Sequence, residues 1–167
     1  MTADELRAQQ GPVKVRYKED PSSAQLTLKA RGTLKGENLI CSVASDPGPI
    51  DAGLHPAAGG DGISACSGDM LLQSLVACAG VTVQAVATAM SIPLRGGTVS
   101  AEGDLDFRGT LGVSKDAAVG FRSIRLNFQL DTDATAEQRA TLLKLTERYC
   151  VIYQTLKNPP ALSAGIG

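Results

Sequence analysis

Tryptophan is absent from this chain, histidine occurs once, at position 55, and the other aromatics are three Phe and three Tyr. So small a set offers little for stacking a planar ligand. Charge of either sign lacks a surplus: 16 Lys and Arg against 17 Asp and Glu give a net charge of −1. No basic patch emerges to hold nucleic acid or an anionic membrane, and neither is expected as a partner. The four cysteines, Cys41, Cys66, Cys78 and Cys150, contain no CxxC pair, which excludes the thioredoxin-type motif. With one histidine there is no zinc-ligand cadence either, and no metal is expected. The opening MTADELRAQQ shows no basic region followed by an apolar one. The expectation is a cytoplasmic protein, in which a disulfide is transient and catalytic rather than structural.

At 167 residues the chain is long enough for a sizeable core, and a single domain over 1–167 is expected. Charge is missing altogether from Met70 to Leu94, a run long enough to be weighed as a membrane span. Gln73, Ser74, Thr82, Gln84, Thr88 and Ser91 interrupt it, and alanine outnumbers leucine. The pattern predicts a helix buried on nearly all sides of a soluble core, or at a subunit interface. Ser64 or Ser67 stands where an N-cap belongs, and Asp69 falls in the first turn, where the helix dipole favours an anion. Pro93, Gly96 and Gly97 end the helix.

Upstream, Thr2 and Glu5 have capping-box spacing and predict a short helix that stops before Gly11-Pro12, within an N-terminal extension over 1–22. Val13, Val15 and Tyr17 alternate with charged residues as a strand would. Leu26, Leu28 and Ala30 alternate more regularly with Gln25, Thr27, Lys29 and Arg31. A further strand is expected over 38–45, then a Gly- and Pro-rich loop over 46–64, long enough to suggest a function. Beyond the long helix, Val99, Ala101, Leu105 and Phe107 alternate with polar neighbours, as do Ile124, Leu126, Phe128 and Leu130. Two half-buried strands joined across 109–120 as a hairpin are predicted. Thr135 and Gln138 open a second helix, with Leu142, Leu145, Tyr149 and Ile152 on one face, ending at Asn158-Pro159-Pro160. The tail 161–167 would add an edge strand. The order of elements predicts an α+β fold.

Several residues carry a plain structural expectation. His55 hydrogen-bonds loop backbone, GGDG at 59–62 is a turn, and Tyr149 and Tyr153 pack in the core or wall a pocket. Cys41 and Cys66 fill core or loop, although Cys66, near the helix start, is placed for a lowered pKa.

Two stretches, GDMLLQSLVACAGVTVQ around Cys78 and ERYCVIYQTL around Cys150, resemble the osmotically inducible and organic-hydroperoxide-resistance (OsmC/Ohr) family. The likeness runs from about Leu26 onward. It implies an intertwined homodimer in which antiparallel sheets from both subunits wrap two central helices. It further implies reduction of organic hydroperoxides: Cys78 attacks the peroxide and Cys150 resolves the sulfenic acid as a disulfide. An external dithiol such as reduced lipoamide, or another thiol reductant, then restores both thiols, with no bound cofactor. The aliphatic composition suits a bulky organic hydroperoxide.

The chain departs from the family pattern at three places. Peroxidase members commonly begin the first helix with Pro-Glu, whose glutamate pairs with an activating arginine; here Ser67-Gly68 stand there, with Asp69 next. Val151 follows Cys150 where proline is common. The arginine has no motif, and Arg31 is favoured over Arg16 because it falls on the more regular strand. Asp69 lies nine residues before Cys78, about 13 Å along a straight helix and on its opposite face, so it would serve the site only across a dimer or through a bend. A non-catalytic ligand-binding or interaction protein of the same fold is the alternative.

Overall fold

The computed structural model spans residues 1–167 and describes all of them but the Glu37 side chain. The capping box at its start forms in full: the Thr2 hydroxyl accepts the Glu5 amide at 3.1 Å and the Glu5 carboxylate accepts the Thr2 amide at 2.7 Å. The helix it opens, α1 (Ala3–Glu19), does not stop at Gly11-Pro12 but carries Pro12 in its interior. Val13, Val15 and Tyr17 are therefore helical rather than a strand, and all three are exposed. A helix satisfies its backbone internally, whereas this segment has no neighbouring strand to bond with.

The expected strand over 25–31 does not form; β1 (Gly32–Leu34) begins just after it, and Leu26 and Leu28 are more than four-fifths exposed. Then come β2 (Cys41–Val43), β3 (Ile50–Gly53) and β4 (Ala65–Cys66). β3 lies within the segment predicted to be loop. The order is β1-β2-β3-β4, with β1–β2 and β2–β3 antiparallel and β3–β4 parallel, so this sheet is mixed rather than wholly antiparallel.

The uncharged run forms α2 (Ser67–Ala89), a helix long and apolar enough to cross a membrane. Its buried residues, Leu75, Ala79, Val83, Val86 and Ala87, recur every three or four positions and make one stripe. Burial on nearly all sides is not observed: 28% of its most apolar window is buried, and Val81 is 69% exposed.

The hairpin forms as β5 (Gly96–Asp104) and β6 (Ser123–Asp131). Arg95 donates to the Asp131 carbonyl at one end and Arg122 to that of Asp104 at the other, which makes the pair antiparallel. A Cβ on Gly97, whose φ is +150°, would strike the Gln129 carbonyl oxygen, so only glycine permits this approach. Phe107 is not in the strand. Asp106 caps a one-turn helix, α3 (Phe107–Thr110), accepting the Arg108 amide at 3.1 Å and ending the extended run.

The second helix is two helices, α4 (Ala136–Tyr149) and α5 (Val151–Lys157), separated at Cys150, whose φ of −73° and ψ of 109° are extended. Tyr149, expected on the buried face, is 58% exposed. Residues 161–167 form no strand and are exposed.

The chain divides into two units. One comprises residues 1–21, 74–100 and 127–167, the other 22–73 and 101–126. The core lies in the first, where Val83, Val86, Ala87, Ile92, Ala134 and Leu142 pack together with Phe128, Leu130 and Leu145.

Candidate active site

Both cysteines singled out by sequence lie in the first unit, and their sulfurs are within hydrogen-bonding reach of each other. Cys78 is half-buried on α2, one position from the buried Ala79; Cys150 is wholly buried. Neither is in a disulfide.

The break at Cys150 sets the local electrostatics. In an uninterrupted helix the amides of residues 151–153 would donate to the carbonyls four residues back. Here the Val151 and Ile152 amides face the Cys78 sulfur, and the Tyr153 amide donates to the Cys150 sulfur at 3.5 Å. Thr82, one turn after Cys78, donates its hydroxyl to the Cys78 carbonyl at 2.7 Å; the same hydroxyl also lies within reach of the sulfur, and its one proton can turn from the carbonyl to the thiolate. Burial pushes the Cys78 thiol up, but the Ile152 amide, the Cys150 thiol, the Val151 amide and the Thr82 hydroxyl outweigh it. Together they hold Cys78 below the ordinary thiol value. Cys150 moves the other way: burial raises it, the Tyr153 amide offsets part of that, and the neighbouring Cys78 adds to the rise. Environments that push two interacting groups apart assign them different roles. Of the two, Cys78 is the thiol that gives up its proton first.

The remaining predicted site residues are placed as follows. Arg31 lies in the other unit, exposed, with its carbonyl accepting the Ala44 amide. Arg16 stacks on Tyr17 in α1 at 5.2 Å. Asp69 opens α2 and lines a cavity of about 480 Å³ within the second unit, with His55, Cys66 and Arg122. His55 does bond loop backbone, accepting the Ala57 amide at 3.0 Å, and stacks on Phe107. The anion at Cys78 is thus favoured by amides and a hydroxyl of its own unit, which sequence reasoning did not foresee. Thr82 was findable, since residues four apart share a helix face. The three amides were not, because nothing in ERYCVIYQTL announces a helix break.

Val151→Pro tests this arrangement. Proline is tolerated at the first position of a helix, and the extended Cys150 before it suits a following proline. The change deletes one N–H aimed at Cys78. It is expected to raise the pH midpoint of Cys78 alkylation by up to about one unit, the worth of a hydrogen bond to a charged group. An unchanged midpoint would show that the Val151 amide does not hold the anion.

A family model described as OsmC-like protein matches residues 59–164, more than half of the chain. The chain belongs to the OsmC-like family. Solved structures agree in fold. An OsmC-like protein from Mycoplasma pneumoniae superposes with a TM-score of 0.67 at 18% identity, over 81% of this chain and 90% of that one. An organic hydroperoxide resistance protein OsmC from Legionella pneumophila gives 0.62 at 16%, over 80% and 90%. The organic hydroperoxide resistance protein OhrB of Bacillus subtilis gives 0.55 at 16%, over 79% and 93%. No curated protein matches. At these identities the likeness establishes the α+β OsmC-like fold.

Proposed function

We propose that this OsmC-like protein reduces organic hydroperoxides with two thiols. The Cys78 thiolate attacks the terminal peroxide oxygen, the O–O bond breaks, and the leaving alkoxide takes up a proton to become the alcohol. Cys78 is left as a sulfenic acid. The Cys150 thiol then displaces its hydroxyl, forming the Cys78–Cys150 disulfide and releasing water. A dithiol or other thiol reductant returns both cysteines to thiols and is itself oxidised. The observation that carries this reading is the placement of the two thiols, Cys78 on α2 and Cys150 at the break between α4 and α5, with sulfurs within reach of each other; the opposite shifts of the pair, Cys78 down and Cys150 up, agree with it. The hydroperoxide-resistance proteins among the structural relatives support it.

The unit acting in the cytosol is proposed to be an intertwined homodimer, without nucleic acid or membrane as partner. The exposed apolar side of α2 supports this, as does a groove of about 980 Å³ beside it, lined by Leu6, Val81, Gln84, Leu94 and Val99. A second subunit laid there would cover surface that soluble monomers rarely leave open.

With a thiol reductant present, cumene hydroperoxide is expected to be consumed in preference to hydrogen peroxide. Faster turnover of hydrogen peroxide would remove the organic substrate from the proposal, and consumption of neither would remove the enzyme. A second reading, a fold that binds a small ligand without turnover, draws on Gly68. It stands where peroxidase relatives carry glutamate and leaves open the cavity that Asp69 lines.

A further inference from the structure

The break between α4 and α5 leaves three carbonyls, those of Glu147, Arg148 and Tyr149, without the amides that a continuous helix would give them. The helical bonds on either side are intact: Cys150 donates to the Thr146 carbonyl at 2.9 Å and Gln154 to that of Cys150 at 2.9 Å. Arg148 and Tyr149 are exposed, so water is at hand for their carbonyls. Glu147 is half-buried. Its carbonyl is taken by the Gln154 side chain, whose Nε2 donates at 2.7 Å. In a continuous helix that carbonyl would take the Val151 amide, one of the two N–H groups aimed at Cys78.

We infer that Gln154 is a positioning residue for the dithiol: its carboxamide substitutes for the Val151 amide at the Glu147 carbonyl and so frees that amide for the Cys78 sulfur. The side chain is itself oriented. Asn158 donates its Nδ2 to Gln154 Oε1 at 3.1 Å, which leaves the Gln154 NH₂ turned toward Glu147. Reversed, Gln154 would set one oxygen against another. Gln154 spans seven residues back across the break. Without the Gln154 donor, the Val151 amide is the helical partner that the Glu147 carbonyl would recapture, and Cys78 would then lose an N–H.

This deepens the two-thiol reading of the same site, but its test does not require turnover. Reduced full-length Gln154→Met and Asn158→Ala are alkylated with iodoacetamide across a pH series, and modification of Cys78 is followed by peptide mass spectrometry. Methionine keeps the length of glutamine and has no donor. The Cys78 midpoint is expected to rise in Gln154→Met by up to about one pH unit and no further than in Val151→Pro, which deletes the same N–H outright, and by less in Asn158→Ala. An unchanged midpoint in folded Gln154→Met overturns the inference. Should that variant fail to fold, Asn158→Ala decides in the same way, because Asn158 is an exposed residue after the last turn of α5. A raised midpoint in protein that consumes no cumene hydroperoxide upholds the role of Gln154 while removing the peroxidase reading.

Discussion

Cys78→Ser is expected to lower peroxide consumption by about 10³-fold or more, because the nucleophile itself is lost and a serine hydroxyl stays protonated at neutral pH. Cys150→Ser should behave differently. It retains the attacking thiolate, so one equivalent of peroxide is consumed at close to the normal rate, and turnover then stops with Cys78 as a sulfenic acid trappable by dimedone. Further peroxide drives that acid up the oxidation ladder, since no thiol stands by to condense with it. Stopped-flow peroxide consumption and intact-mass measurement read both outcomes. The contrast rests on the site's electrostatics, in which Cys78 is held below the ordinary thiol value and Cys150 above it. Equal loss in the two variants would mean that Cys150 supports the attack itself. The pH dependence has a definite sign: the rate rises with pH through the Cys78 midpoint and levels off below the pH at which an ordinary cysteine would.

Oxidation should also stabilise the fold. Cys78 and Cys150 are 72 positions apart, so their disulfide closes a long loop in the unfolded chain. Chain entropy alone gives about 4 kcal/mol of stabilisation for such a loop, less any strain that the bond introduces. Urea unfolding of oxidised and reduced protein, each checked by thiol titration, measures the difference. A higher denaturation midpoint for the oxidised form is expected. A lower one would mean that bonding the sulfurs pulls apart the caps at the start of α5, among them the Tyr153 amide on Cys150. That result would mark the disulfide as a strained, easily reduced intermediate.

The course of the chain was readable in the sequence wherever a local pattern and its physical partner lie close together. The capping boxes at Thr2 and Thr135 both formed, because each is closed by a side chain three residues on. The β5–β6 hairpin followed its alternation, with Ile124, Leu126, Phe128 and Leu130 on the more buried face of β6. Patterns that need a distant partner failed. Leu26 and Leu28 alternate as strand residues do, yet no strand pairs with them, and alternation supplies a face without a neighbour. Val13, Val15 and Tyr17 met the same difficulty and became helix. The β3 strand was hidden by Gly and Pro on either side of a four-residue run, Ile50–Gly53.

The site was legible to a different depth. The two cysteines could be named because two segments resembled a family, and the structure sets them side by side. What tunes them could not be named. Arg31 and Asp69 were named from the family pattern, in which an acid holds an activating arginine, whereas the groups around Cys78 are backbone amides, a threonine hydroxyl and the Cys150 thiol. Backbone donors leave no residue-type signature. They become available only where a helix breaks, and Val151, unlike a proline, retains the N–H that such a break releases. The departure at 151 therefore adds a donor.

Pairing of the two thiols on oxidation is the most direct test of the proposed chemistry. Reduced full-length protein treated with one equivalent of cumene hydroperoxide, quenched by alkylation and mapped without reduction, should yield a Cys78–Cys150 peptide pair as its main product, with Cys41 and Cys66 alkylated. Intact thiols at Cys78 and Cys150 with the peroxide unconsumed, or a disulfide that joins Cys78 to Cys41 or Cys66 instead, would contradict it.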